Sequence, residues 1–272
     1  MTDMTGKIAL VTGAGSGIGE AVTRRFRSQG AAVGIVGRRA DLLDALGNET
    51  GAIPLPCDVA DSAAVKQAVE ELVSKCGGLD VVVNNAAISD RGRVDELDDD
   101  SWNRMVEVNL NGAFRIAREA VPYLRQRGGG AIVNVSSIGG LFGALEAAAY
   151  GTTKAALLGL TRSMARDYGP DGIRVNTICP GWVDTPMTDP AVGLLMRAHG
   201  LSREEAQNKL TQFNPISGMA APDDVARCIE FLATDASACV TGTILMADNG
   251  QSIVDVGFIP IQMATLTRDQ GN

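Results

Sequence analysis

Residues 8–19 read IALVTGAGSGIG, four apolar residues running straight into a turn in which every second residue is glycine. The run Ile8–Val11 has no polar face, the pattern of a strand covered on both sides. A helical stretch follows to about Gln29, so the turn joins a strand to the start of a helix. Its spacing is T-G-x-x-x-G-x-G, with Gly13, Gly17 and Gly19 in place, rather than the G-x-G-x-x-G of many dinucleotide sites. The physical demand is similar. Glycines let the backbone turn tightly and approach a pyrophosphate. The helix beginning near Ile18 offers that anion free N–H groups and the positive end of its dipole. Ser16 and Ile18, in the same turn, belong to the expected nucleotide contacts.

The alternation of strand and helix continues along the chain. Ala32–Val36, Ile53–Cys57, Leu79–Val83, Ala131–Val135, Ile173–Ile178 and Thr243–Ala247 read as further strands. A helix is expected near Asp41–Leu46, and Val65, Val69, Leu72, Val73 and Cys76 fall on one helical face. Strands that are apolar on both faces and separated by helices imply a parallel sheet with helices on each side. Right-handed crossovers make this a doubly wound, Rossmann-type α/β fold with a seven-stranded parallel sheet. No Pro/Ser-rich linker or change of composition divides the chain, so residues 1–272 are expected to form a single domain. The segment 186–215, with Met187, Leu194, Leu195, Met196, His199 and Phe213, reads as a substrate lid. Residues 251–272 read as a C-terminal extension.

Composition narrows the function. Hydrophobic residues make up 45% and charged residues 21% of 272, enough for a substantial core. With only 4% aromatic residues but 32 glycines, the chain suits small-residue helices and Val/Ile-rich strands better than a β-sandwich. A net charge of −8 argues against a nucleic-acid or anionic-membrane surface. The start, MTDMTGKIALVTG, has no basic region followed by a long apolar stretch, and no apolar run is long enough to span a bilayer. A cytoplasmic location is expected. Cys57, Cys76, Cys179, Cys228 and Cys239 show no C-x-x-C spacing and read as small buried hydrophobes in a reducing compartment. His199 is the single histidine, which leaves little basis for a zinc site or a Ser-His-Asp mechanism, and no metal is expected.

Other side chains must therefore carry any acid–base chemistry. Tyr150 and Lys154 are four residues apart on a helix and share a face. Ser137 lies thirteen residues before Tyr150, just after the fifth strand. Asn109-Leu110-Asn111-Gly112 interrupts an otherwise helical stretch from about Ser101 to Arg127, a local conflict of the kind expected at functional sites. Together with the glycine turn, Asn84-Asn85-Ala86 and Pro180-Gly181, these motifs resemble the short-chain dehydrogenase/reductase family over roughly residues 5–250. Two departures stand out. Ala87 replaces the glycine of N-N-A-G and adds a Cβ near the nucleotide cleft. Asp248-Asn249-Gly250 replaces D-G-G, a mild change because Asn tolerates left-handed backbone angles.

The resemblance implies an oxidoreductase that moves a hydride between a nicotinamide cofactor and a ketone/secondary alcohol substrate. It implies Tyr150 as general acid/base, and Lys154 as its partner and as a contact of the nicotinamide ribose. Ser137 would bond the substrate oxygen, and Asn109 would hold a water linking Lys154 to solvent. The ammonium and the nicotinamide charge are expected to lower the Tyr150 pKa toward neutrality. Asn85, Ala86, Pro180, Gly181, Val183 and Thr185 would contact the cofactor. Asp58 and Val59 would meet the adenine, with a helix N-cap as the other reading of Asp58. Trp182 and Leu145, with Leu141 and Phe142, would border the substrate.

The second strand ends Val36-Gly37-Arg38-Arg39, with no carboxylate for the ribose hydroxyls. Gly37 leaves room, and Arg38, followed by Arg39, offers a fork for a 2′-phosphate. NADP(H) is favoured, with NAD(H) the alternative. The apolar segments Phe231-Leu232-Ala233, Val240–Ala247 and Val254–Ile259 resemble a subunit-contact region and imply a homotetramer, or a dimer. Two other readings stay open: a non-catalytic nicotinamide-binding sensor, and an interaction scaffold of the same fold.

Overall fold

In the computed structural model, which describes residues 4–261, 263 and 264, the run before the glycine turn is strand β1, Ile8–Thr12, buried at every position. Six more strands join it: β2 (Ala32–Gly37), β3 (Ile53–Pro56), β4 (Val81–Asn84), β5 (Gly130–Val135), β6 (Ile173–Pro180) and β7 (Ile244–Ala247). All pair in parallel, in the order β3-β2-β1-β4-β5-β6-β7. The doubly wound seven-stranded sheet is therefore the observed one. Strand ends differ from expectation by at most two residues. The fourth begins at Val81, and the Asp80 carboxylate just before it accepts from the Ile8 N–H at 2.8 Å and the Arg127 guanidinium at 2.9 Å.

The helices are α1 (Gly17–Ser28), α2 (Ala40–Thr50), α3 (Ser62–Cys76), α4 (Asp99–Val106), α5 (Gly112–Gln126), α6 (Ala148–Tyr168), α7 (Asp189–His199), α8 (Arg203–Leu210) and α9 (Pro222–Ala233). Alternate residues of β1 feed two cores, as a period of two requires. Ala9 and Val11 join Phe26, Ile35, Leu43 and Ile229 beneath α1, α2 and α9. Ile8 and Leu10 join Leu55, Val69, Leu72, Ile116 and Leu124 beneath α3 and α5, with Met164 of α6. Each fully buried aliphatic side chain contributes about 1.5–3 kcal/mol, so the two covered faces hold the sheet.

Local signals set the helix limits. The Asp61 carboxylate accepts from Ala63 and Ala64 N–H at 2.8 and 3.1 Å, and left-handed Gly77 ends the same helix. Asp58 is thus not the cap; it closes a turn by accepting from Ala60 N–H at 3.0 Å. The segment around Asn109 does not break its helix. Glu107–Asn111 forms a π-turn between α4 and α5, so the strain becomes a widened turn rather than a gap. The expected lid contains α7 and α8, and α8 is tied down by Arg203, which bonds Asp184 and Asp189. Of the expected C-terminal extension, residues 262 and 265–272 lie outside the described residues.

Candidate active site

The order in which the chain adds strands reverses between β1 and β4, whose carboxyl ends leave a crevice between their connections. A cleft of about 690 Å³ opens there. Arg38, Arg39, Asp58 and Val59, which follow β2 and β3, line one side; Ser137, Tyr150, Gly181 and Trp182, which follow β5 and β6, line the other.

The glycine turn forms its floor. Gly13 has φ +64°, and a Cβ there would lie 2.8 Å from Ala86 Cα. Gly19 admits no side chain either: a Cβ would overlap the Gly13 carbonyl oxygen and lie 2.6 Å from Asn85 Nδ2. The same Asn85 amide donates to the Thr12 and Gly13 carbonyls at 3.0 and 3.1 Å, while Thr12 Oγ1 accepts from Asn85 and Ala86 N–H, both at 3.0 Å. Ser16 precedes α1 without capping it. Its hydroxyl instead accepts from the Arg39 guanidinium at 3.1 Å, which leaves the helix's leading N–H groups to the cleft. This cradle, the uncapped helix and the two arginines fit a dinucleotide: backbone donors for a pyrophosphate and cations beside the second strand.

At the other end, Tyr150 and Lys154 lie on the first turns of α6. Lys154 is 2% exposed; its ammonium donates to the Val135 carbonyl at 2.8 Å and sits 5.7 Å from the centre of the Tyr150 ring. Burial pulls the Lys154 pKa down from 10.5 to about 8. Burial pushes the Tyr150 phenol up, against the expected fall, while a hydrogen bond from Ser137 pulls the other way. The protein groups alone thus favour the neutral phenol. Ser137 Oγ also accepts from Gly139 N–H at 3.1 Å, and Ser136 Oγ donates to the Lys154 carbonyl at 2.8 Å. Ser136 is a structural tie, as its strand-end position suggests.

Asn109 is 1% exposed and does not line the cleft. Its Nδ2 donates to the Ile88 carbonyl at 2.9 Å and to Thr153 Oγ1 at 3.1 Å, and its Oδ1 accepts from Ile88 N–H at 2.8 Å. Thr153 Oγ1 in turn donates to the Tyr150 carbonyl at 2.8 Å. The side chain therefore braces the connection after β4 against the helix that carries Tyr150. Both amide hydrogens are committed, so its side chain has no donor left for the expected water.

The remaining candidates sort by position. Gly37, Ile18, Gly17, Ala86, Pro180, Val183 and Thr185 line the cleft; Gly19 lies behind the turn. Leu145 does not border it. The residue is 80% exposed, and Ala144 lines the wall instead, because left-handed Glu146 (φ 56°) turns the chain and Gly92 N–H bonds the Glu146 carbonyl at 2.9 Å. Leu141 and Phe142 are also exposed, at 39% and 53%. Ala87 lines the cleft, and Asn249 adopts the left-handed angle expected of it, φ 54°. Thr153 and Gln251 were not foreseen; no local spacing marks either. Cys57 and Cys179 are buried, Cys76 and Cys228 partly so, and Cys239 is exposed, contrary to its expected burial; all five are free.

Comparison with known proteins gives a consistent result. The family model described as Enoyl-(Acyl carrier protein) reductase matches residues 13–252. A 3-oxoacyl-[acyl-carrier-protein] reductase, FabG, of Thermotoga maritima is 35% identical over 252 residues, covering 91% of this chain and 98% of that protein. A 3beta-hydroxysteroid dehydrogenase of Mediterraneibacter gnavus is 39% identical over 260 residues, covering 90% and 94%. The ligand-free structure of the aldohexose dehydrogenase of Thermoplasma acidophilum superposes with a TM-score of 0.87 at 32% identity, covering 94% of this chain and 97% of that one.

Proposed function

Because the chain belongs to the short-chain dehydrogenase/reductase family, an NAD(P)-dependent oxidoreductase family, we propose that it interconverts a ketone and a secondary alcohol with NADP(H), using Tyr150 as general acid/base. The carrying observation is the convergence of Ser137, Tyr150 and Lys154 on the same cleft as the uncapped glycine turn. When bound there, the nicotinamide supplies or accepts the hydride.

The chain's own residues handle the proton. Ser137 Oγ holds the reacting oxygen beside Tyr150 and stabilises the charge that grows on it. Tyr150 gives a proton to that oxygen during reduction and takes it back during oxidation. Phenolate forms in an apolar wall that disfavours it, so the Lys154 ammonium beside the ring offsets part of that cost. Asn109 holds the helix in register through Thr153, and a water linking Lys154 to solvent would have to use groups other than the Asn109 amide hydrogens.

Gly37, Arg38 and Arg39 support NADP(H) over NAD(H): no carboxylate stands at the end of β2 or in the two residues after it, and Arg39 is anchored over the turn through Ser16. The lid reading of 186–215 rests on Pro186, Met187 and Thr188, which line the cleft at its mouth. We also propose a homotetramer, since Phe231, Ile253, Val256 and Phe258 leave apolar surface exposed. Among the described residues no helix is long and apolar enough to cross a membrane, and five free cysteines suit a reducing, cytoplasmic setting.

A carbonyl and alcohol panel with NADP(H) and NAD(H) tests the reading. Tyr150→Phe is expected to lower kcat by about 10²–10⁴-fold while NADPH still binds. Wild-type turnover in that variant overturns the assignment. Tight NADPH binding without turnover of any substrate would instead support a sensor.

A further inference from the structure

Gln251 follows the turn Asp248-Asn249-Gly250 and lines the catalytic side of the cleft with Gly181, Trp182 and Met187. Its placement is rigid. The Asp248 carboxylate accepts from Gly250 N–H at 3.1 Å and Ser252 N–H at 2.8 Å, and Gln251 N–H bonds the Asp248 carbonyl at 3.0 Å. Asn249 Nδ2 fastens the turn to the Gly218 carbonyl at 3.0 Å. Gly181 makes the room: a Cβ on it would come within 3.0 Å of Gln251 Oε1.

Yet the side chain so seated leaves its carbonyl oxygen unpaired: Gln251 Oε1 is sealed from solvent and has no hydrogen-bond partner among the described residues. A sealed carbonyl oxygen without a partner is costly to keep, which favours a turn of the amide that brings this acceptor to the cleft, where a ligand can donate to it. Trp182, Met187 and Ile138 add apolar surface to the same cleft. Turning the side chain about its terminal bond exchanges oxygen and NH₂ at that wall, so it can present either an acceptor or two donors. A hydroxyl both donates and accepts, and is matched by the amide in either orientation.

We infer that Gln251 is a specificity-determining residue that binds a second hydroxyl of the substrate, so that hydroxyketone/diol pairs are preferred over simple ketone/alcohol pairs. The inference rests on the oxidoreductase reading above and names its substrate class. It adds no step to the chemistry at Tyr150.

The test compares matched probes with NADP⁺: cyclohexanol against trans-1,2-cyclohexanediol, and 2-butanol against 2,3-butanediol. Within a pair, wild type is expected to show a kcat/KM at least about tenfold higher for the diol, and Gln251→Met to erase that ratio. Gln251→Glu keeps an acceptor and is expected to retain the diol preference. A thermal melt of each variant confirms folding, and an NADPH titration checks the cofactor site. No diol preference in wild type, or a preference that survives in Q251M, overturns the inference alone. So does a Q251M variant that weakens NADPH binding and lowers both members of a pair equally, since the amide would then serve the cofactor. Absence of turnover with any alcohol, in every variant and with either cofactor, overturns the oxidoreductase reading and this inference with it.

Discussion

One methyl group should act in opposite directions at two glycines of this chain. At Gly19 an added Cβ would run into the Gly13 carbonyl and come within 2.6 Å of Asn85 Nδ2, a side-chain end held in place by two hydrogen bonds. Relief requires the turn or Asn85 to move, which breaks the bonds from Asn85 to the Thr12 and Gly13 carbonyls, now 3.0 and 3.1 Å long. Two lost hydrogen bonds cost about 1 kcal/mol each. Overpacking adds roughly 1–3 kcal/mol, so Gly19→Ala should destabilise by about 3–5 kcal/mol. At about 2–4 °C per kcal/mol, that lowers Tm by roughly 6–20 °C. At Gly159, inside α6, a Cβ meets nothing within 4 Å. Gly159→Ala should therefore stabilise by about 0.5–1 kcal/mol through helix propensity alone. Differential scanning fluorimetry of both variants, with NADPH titration by fluorescence, reads the contrast. NADPH affinity should fall at least about tenfold in G19A and stay unchanged in G159A. A G19A protein with wild-type Tm and wild-type NADPH affinity refutes the claim that the close-packed turn builds the nucleotide cradle.

The buried ammonium gives a pH signature. Burial lowers Lys154 from 10.5 to about 8, so between those values the unfolded chain holds a proton that the folded chain has released, and this group's contribution to stability rises with pH. Relative to Lys154→Met, wild type should gain on the order of 3 kcal/mol between pH 7 and 10.5 in urea denaturation; a difference independent of pH refutes this. Replacing Arg38 and Arg39 together by alanine should weaken NADPH binding at least about tenfold and leave NADH within about twofold, read by fluorescence titration. Equal loss for both cofactors would remove the case for 2′-phosphate recognition. Light scattering should give a tetramer mass; a monomer mass overturns the subunit contacts proposed for the apolar surface at Phe231 and Phe258.

What the sequence by itself determined is whatever depends on short-range pattern. Ile8–Val11 could be read as a doubly covered strand, and Gly13, Gly17 and Gly19 as the tight turn into a helix, because strand period, helix start and glycine spacing are all local. Tyr150 and Lys154 are neighbours for the same reason, since residues four apart on a helix share a face. Even the left-handed angle of Asn249 followed from residue type.

Only the tertiary structure decided the rest. The Tyr150 phenol rises instead of falling because desolvation depends on what packs around a side chain, and no spacing reports that. Asn109 joins Thr153 across 44 residues of chain, and so becomes a brace for the helix that carries Tyr150 and Lys154. Leu145 turns outward because a pairing with the loop at Gly92 and the angle at Glu146 set the loop's direction. Gln251 reaches Gly181 from a turn 70 residues away, and its unpaired carbonyl oxygen is visible only once both are in place. Spacing along a chain encodes contacts within a strand or a helix turn. Burial, and the partners it denies or supplies, comes into being only when distant segments meet.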